Sequence, residues 1–148
     1  MTIFSHRYAA SHGDVWSYLD TNLPVPSSDM AIAILPTGES KKIVITGGCD
    51  DPKGNIYVED PDYGEYFTCM SLTDKVYGFT PTKAAGDEGK WGGSFEELAS
   101  MPRKRARHGN AIIGGDQLCL FGGRDDMDVL IAEIDVSAIH VFGVLLCL

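Results

Sequence analysis

Positive charge is scarce in this sequence. Lys and Arg number 12 against 21 Asp and Glu, a net charge of -9 near neutral pH. Such a surface repels phosphate backbones and anionic lipid, which excludes nucleic acid and membrane surfaces as general partners. Long apolar runs are also lacking. The strongest, from Ile139 to Leu148, is about half the roughly 20 residues that a membrane span needs. The opening stretch Met1-Thr2-Ile3-Phe4-Ser5-His6-Arg7 is followed by Tyr8-Ala9-Ala10-Ser11-His12, without the apolar centre of a signal peptide.

Cysteine is limited to Cys49, Cys69, Cys119 and Cys147, with no C-x-x-C pair and no Cys/His group at zinc-ligand spacing. With no signal peptide, free thiols in a reducing, cytoplasmic compartment are expected. Catalytic signatures are missing as well. No Gly-x-Ser-x-Gly elbow, His-Glu-x-x-His or Cys/His dyad occurs, and Gly38-Glu39-Ser40-Lys41-Lys42 lacks the spacing of a phosphate loop. His6, His12, His108 and His140 are scattered, and surface or packing roles suit them better than metal ligation. The expectation is a protein that is not an enzyme and carries no cofactor or metal.

Glycine, at 17 residues, is abundant, and 6 Tyr and 6 Phe are spread along the chain. Glycines between short apolar runs read as tight turns between strands. At 148 residues the chain suits one domain with a sizeable core.

The main feature is a repeat. Leu23-Pro24, Met30-Ala31-Ile32-Ala33-Ile34-Leu35 and Lys42-Ile43-Val44-Ile45-Thr46-Gly47-Gly48-Cys49-Asp50 form one copy. Met101-Pro102, His108-Gly109-Asn110-Ala111-Ile112-Ile113 and Leu118-Cys119-Leu120-Phe121-Gly122-Gly123-Arg124-Asp125 form the second. Trp16 precedes the first and Trp91 the second, 75 residues apart. Each copy runs Trp, apolar-Pro, strand, turn, strand, Gly-Gly and acidic loop. Glycines at Gly38 and Gly114-Gly115 fall where hairpins need positive φ, and each Trp is expected to bury its ring between stacked sheets.

These residues resemble the kelch repeat, over about residues 16 to 136. The resemblance implies an all-β fold of kelch-type β-propeller blades, each of four antiparallel strands, arranged here as an incomplete ring. The third strands would be Lys75-Val76-Tyr77-Gly78-Phe79 and Ile131 to Val136. The implied organisation is an N-terminal segment (1–15), the repeat region (16–136) and an atypical apolar tail (137–148). A kelch unit is about 50 residues, and the excess here lies in an acidic insertion over 50–72, whose composition is that of a loop. One complete unit with parts of two others cannot close a ring, so a truncated sequence after about residue 136 is expected.

The basic cluster Arg103-Lys104-Arg105-Arg107-His108 stands out in an acidic chain. The resemblance places this segment at the mouth of the central channel, with Arg105 and Arg107 facing that surface. Arg103, Arg105, Arg107 and His108 are therefore the candidate binding residues, suited to a carboxylate or phosphate on a partner. The alternative is a solvated loop paired with nearby acids such as Asp125 and Asp126. Asp50-Asp51 and Arg124-Asp125-Asp126 do not match a calcium loop and read as turn residues. The family implies a protein–protein interaction module that presents loops to a protein partner, with neither nucleic acid nor membrane involved. A sugar-active or carbohydrate-binding propeller is the alternative, and a fragment without independent function is a third reading.

Overall fold

Short runs of β-branched and aromatic residues, broken by glycine, give this chain strands and turns. A computed structural model of the protein describes residues 2–7, 15–37, 40–50, 56–62, 64–69, 71–83 and 91–139. The chain is all-β, with antiparallel pairing throughout and no helix among the described residues.

The paired strands of the first matching segment, together with two strands that follow it, form a four-stranded sheet. Its strands are β3 (Ala31–Thr37), β4 (Ser40–Thr46), β7 (Val76–Lys83) and β8 (Trp91–Leu98), hydrogen-bonded in the order β3-β4-β7-β8. Two further strands, β5 (Ile56–Asp60) and β6 (Gly64–Thr68), form a hairpin between β4 and β7. The second copy forms a three-stranded sheet in the order β11-β10-β9, from β9 (Gly109–Ile113), β10 (Gln117–Phe121) and β11 (Ile134–Ala138). At the N-terminus β1 (Thr2–Arg7) pairs with β2 (Val15–Asn22). The expected third strands thus occur, with the first extended to Lys83 and the second shifted to Ile134–Ala138.

The two large sheets pack face to face. Side chains alternate across a strand, so Leu35, Val44 and Val76 leave one face of the first sheet together. They meet Leu118 and Leu120 from the second, and Met101 and Ile139 close the cluster. Every member is at least nine-tenths buried. Burying an aliphatic side chain of this size contributes roughly 1.5–3 kcal/mol, which makes this layer the main source of cohesion between the copies. On the opposite face of the first sheet, Phe79 and Phe95 stack with ring centroids 4.7 Å apart.

Three expectations need correction. The 50–72 insertion is not a bare loop, because β5 and β6 pair within it, from Ile56↔Thr68 to Asp60↔Gly64. Ile56-Tyr57-Val58 and Tyr66-Phe67 favour strands, and Gly64 supplies the positive φ of 75° for the reversal. The N-terminal segment contributes a strand, β1.

Free thiols were expected throughout, yet Cys49 and Cys69 form a disulfide across the base of that hairpin. Cys49 also bridges Leu72 in backbone pairing, which brings the two ends of the insertion within bonding reach. Cys119 is free and buried, and Cys147 lies outside the described residues. Finally, Trp91 is 40% exposed rather than buried between sheets, because it starts the outermost strand of its sheet. The side chain of Trp16, Gly38, His12, His140, Asp51 and most of the 137–148 tail lie outside what is described.

Candidate functional site

The glycine pairs define one end of both sheets. Gly47 and Gly48 have φ of 56° and 104°, and Gly122 and Gly123 have φ of 62° and 98°. Only glycine adopts this left-handed path without strain. Space gives a second reason: a Cβ on Gly48 would stand 2.5 Å from the Ser28 carbonyl oxygen, and one on Gly123 2.7 Å from that of Ala106. The chain enters each first strand hard against the exit of each second strand.

That closeness builds the same backbone lattice twice. Ser28 bridges Cys49, which bridges Leu72; Ala106 bridges Arg124, which bridges Leu130. In the first lattice Ser28 and Cys49 exchange N–H···O=C bonds of 3.0 and 2.7 Å, and in the second Ala106 and Arg124 do so at 3.1 and 2.9 Å. The copies are also stitched to each other. The Gly48 N–H donates to the Arg105 carbonyl and the Arg107 N–H to the Asp29 carbonyl, both at 2.9 Å. Loops held this way form a rigid surface at the glycine-pair end, although their composition is that of turns.

The basic cluster lies on this surface, but its members do different things. Arg105 is fully buried and does not face the surface, contrary to the expectation from sequence. Its guanidinium forms an ion pair with Asp135 of β11 and donates to the Gly122 carbonyl at 3.2 Å. The backbone turns at Arg105 to reach Gly48, and this directs its side chain between the sheets.

Arg103 and Arg107 remain about half exposed. Arg103 lies 3.6 Å from the Glu133 carboxylate and Arg107 3.7 Å from that of Asp29. Lys104 is exposed. Among the described residues, the acids paired with the cluster include Asp29, Glu133 and Asp135. Asp125 instead organises its own turn, accepting the Met127 and Val129 N–H groups at 3.0 and 2.9 Å. Arg124 closes the same turn by donating to the Asp128 carbonyl at 2.8 Å.

His108 is buried beneath this surface. One ring nitrogen, Nε2, lies 2.8 Å from the Thr46 hydroxyl, which also accepts from Asn110 Nδ2 at 3.0 Å. Burial, reinforced by the Arg105 guanidinium, lowers the imidazole pKa to about 4, so the ring is neutral at physiological pH. His108 therefore links the two repeat copies through Thr46 and offers no charge to a partner. The exposed cationic groups of the surface are Arg103, Lys104, Arg107 and Arg124. The sequence marks Arg124 only as a turn residue. The signal that places it here is its position directly after the second glycine pair.

Among the described residues no three His, Cys, Asp or Glu side chains converge as a metal site. Nor is any helix long and apolar enough to cross a membrane. Neither a protein-family model nor a curated protein matches the chain. Among solved structures, that of YjhT aligns with 82% of this chain at 13% identity and a TM-score of 0.33. The chain spans 44% of the length of that structure. A likeness at that level transfers neither fold nor function.

Proposed function

We propose that the chain is part of a kelch-type β-propeller and works as a protein-interaction module. The observation that carries this reading is the duplicated backbone lattice, Ser28–Cys49–Leu72 and Ala106–Arg124–Leu130, at one end of two stacked antiparallel sheets. A lattice repeated around an axis would give a rigid rim of loops, and binding groups sit on loops held by rigid scaffolds. In this chain the rim carries Arg103, Lys104, Arg107 and Arg124 against an otherwise acidic protein.

Planar guanidinium groups suit carboxylate recognition, so the partner is a protein that presents an acidic segment. Asp29 and Glu133 stand 3.6–3.7 Å from two of these groups and would be displaced by a better-placed carboxylate. Such an exchange favours specificity over raw affinity, because exposed ion pairs at the rim contribute little.

The test is affinity capture from the native source, followed by reconstitution with the purified partner. The double variant Arg103→Glu, Arg107→Glu is expected to lose that partner at least about tenfold while keeping its fold, since both residues are exposed. A partner bound equally well by that variant would overturn the role of the loop surface. Capture of no partner, together with turnover of a sugar by the purified chain, would overturn the interaction reading itself.

A further inference from the structure

Cys49 and Arg124 hold the same place in the two lattices. Cys49 bridges Ser28 and Leu72, and Arg124 bridges Ala106 and Leu130. The next residue is an aspartate in both, and each closes its turn through Oδ1. Asp125 accepts the Met127 and Val129 N–H groups, whereas Asp50 accepts the Ser71 hydroxyl at 2.7 Å. The base of the first lattice is further held by backbone bonds. The Asp50 N–H donates to the Ser71 carbonyl and the Thr73 N–H to the Gly48 carbonyl, both at 3.0 Å. The second lattice has an arginine where the first has a half-cystine, so backbone pairing and an aspartate suffice to build it. The Cys49–Cys69 bond is an addition to a lattice that its counterpart forms without one.

What the bond adds is a hold on the β5–β6 hairpin. β4 pairs directly with β7, so the four-stranded sheet runs on past the insertion, and β5 and β6 form a sheet of their own. The buried cluster of Leu35, Val44, Val76, Leu118 and Leu120 is built outside that hairpin. A two-stranded hairpin by itself is only marginally stable in water. Cys69 directly follows β6, and its bond to Cys49 anchors that strand to the body. Without the bond, the hairpin keeps its own ladder and the contacts at its base, and such a unit opens locally. The two sulfurs are unequally reachable: Cys49 is buried, whereas Cys69 is partly exposed.

We propose that Cys49–Cys69 is a reversible redox latch on this hairpin. The reductant is a low-molecular-weight thiol. Its thiolate attacks the accessible Cys69 sulfur, the S–S bond breaks, and Cys49 leaves as a thiolate that takes up a proton. A second thiol then displaces the first from Cys69. The products are two protein thiols and one disulfide of the small thiol, which has passed two electrons to the protein. In the reduced state the hairpin opens while the two-sheet body stays folded on its own core. The closed base keeps Cys69 close to Cys49, because Ser71 remains bonded to Asp50. Oxidation therefore restores the bond. Gly48, at the same base, donates to the Arg105 carbonyl at 2.9 Å, so the latch sets the shape of the surface beside the basic loop. It rests on the disulfide and the strand pairing, and not on which partner that loop binds.

The test is limited chymotrypsin digestion of the full chain, oxidised or equilibrated with millimolar reduced glutathione, with cuts located by mass spectrometry and free thiols counted in parallel. Reduction is expected to free Cys49 and Cys69 and to speed cleavage at Tyr57, Tyr66 or Phe67 at least about tenfold. The strands β3, β4, β7, β9 and β10 are expected to stay uncut over the same period. Cys69→Ser is expected to be cut at the reduced parent's rate with or without glutathione. Exchange into oxidised glutathione is expected to restore resistance in the parent and not in that variant. Equal hairpin cleavage in the oxidised and reduced parent would overturn the latch. So would cuts spread through the body strands on reduction, since the bond would then staple the whole fold. A bond that the folded protein keeps intact in millimolar glutathione, or that fails to re-form on oxidation, would overturn it as well.

Discussion

Asp29 and Arg107 occupy equivalent positions in the two copies, share a left-handed backbone at φ of 54° and 55°, and touch each other. The Arg107 N–H donates to the Asp29 carbonyl at 2.9 Å, and the two side chains lie 3.7 Å apart. Outside glycine, a left-handed residue costs roughly 1–2 kcal/mol, and Asp tolerates it better than Arg. The repeated strain fixes the turn by which each copy enters its first strand.

Replacing Arg107 by Gly relieves that strain and removes an exposed ion pair that contributes at most about 1 kcal/mol. The variant is expected to unfold in urea within about 1 kcal/mol of the parent while losing a rim charge. Arg107→Val, β-branched and equally uncharged, is expected to be less stable than Arg107→Gly by about 1 kcal/mol or more. Equal midpoints for the two variants would show that the left-handed turn carries no strain.

Arg105 and Asp135 form the buried ion pair between the loop and β11, with Arg105 fully inaccessible. Its Nε has no partner, so the guanidinium depends heavily on this one carboxylate. Asp135→Asn is expected to destabilise the protein by about 3–5 kcal/mol, because it strands a buried charge. Adding Arg105→Met to that variant is expected to recover part of the loss. Urea unfolding of the two singles and the double gives the coupling directly.

His108 makes stability depend on acid. Its folded pKa of about 4 lies below the ordinary imidazole value of 6.5, so the unfolded chain binds the proton first as pH falls. Stability from this group is fully present above pH 6.5, declines from there to about 4, and is level below that. The largest loss is on the order of 3 kcal/mol. His108→Gln is expected to flatten the difference between unfolding midpoints measured at pH 7.5 and 4.5. A parallel pH dependence in parent and variant would remove His108 as the cause.

The Cys49–Cys69 disulfide closes a sequence separation of 20 residues around the β5–β6 hairpin. Constraining a loop of that size stabilises by about 3 kcal/mol in the chain-entropy description. Cys69→Ser is expected to lower the urea midpoint accordingly. Alkylation under native, non-reducing conditions is expected to leave Cys49, Cys69 and the buried Cys119 unlabelled, with Cys119 labelled after denaturation. Ready native labelling of Cys49 would show the thiols free.

Gly47 is among the described glycines that leave no room for a side chain. A Cβ there would lie 2.4 Å from the Arg105 carbonyl oxygen and 2.9 Å from the His108 ring, at a φ of 56°. Backbone cannot retreat as a flexible side chain can, and strain adds to the clash. Gly47→Ala is expected to cost more than about 2 kcal/mol, whereas Gly115→Ala, with nothing within 4 Å, is expected to cost only its backbone strain, about 1 kcal/mol. Thermal unfolding of the pair checks the difference.

The sequence by itself determined the all-β class and the strand pair that precedes each Gly-Gly. Those features are local: apolar runs of five to eight residues fit strands, and glycine takes the positive φ just after the second strand of each pair, at Gly47-Gly48 and Gly122-Gly123. The strands β5 and β6 were hidden because Pro, Gly and acidic residues around them read as loop. Which acid answers which arginine was not legible, since Asp29, Glu133 and Asp135 lie far from the cluster in sequence. Only tertiary structure decided that Arg105 turns inward while Arg103 and Arg107 stay out, because side-chain direction there follows from packing the copies together. It decided, too, that Cys49 meets Cys69, and that a cleft lined by Leu98, Met101, Leu118 and Ser137 lies between the sheets. A void is a property of two surfaces brought together, and no single stretch of sequence contains it.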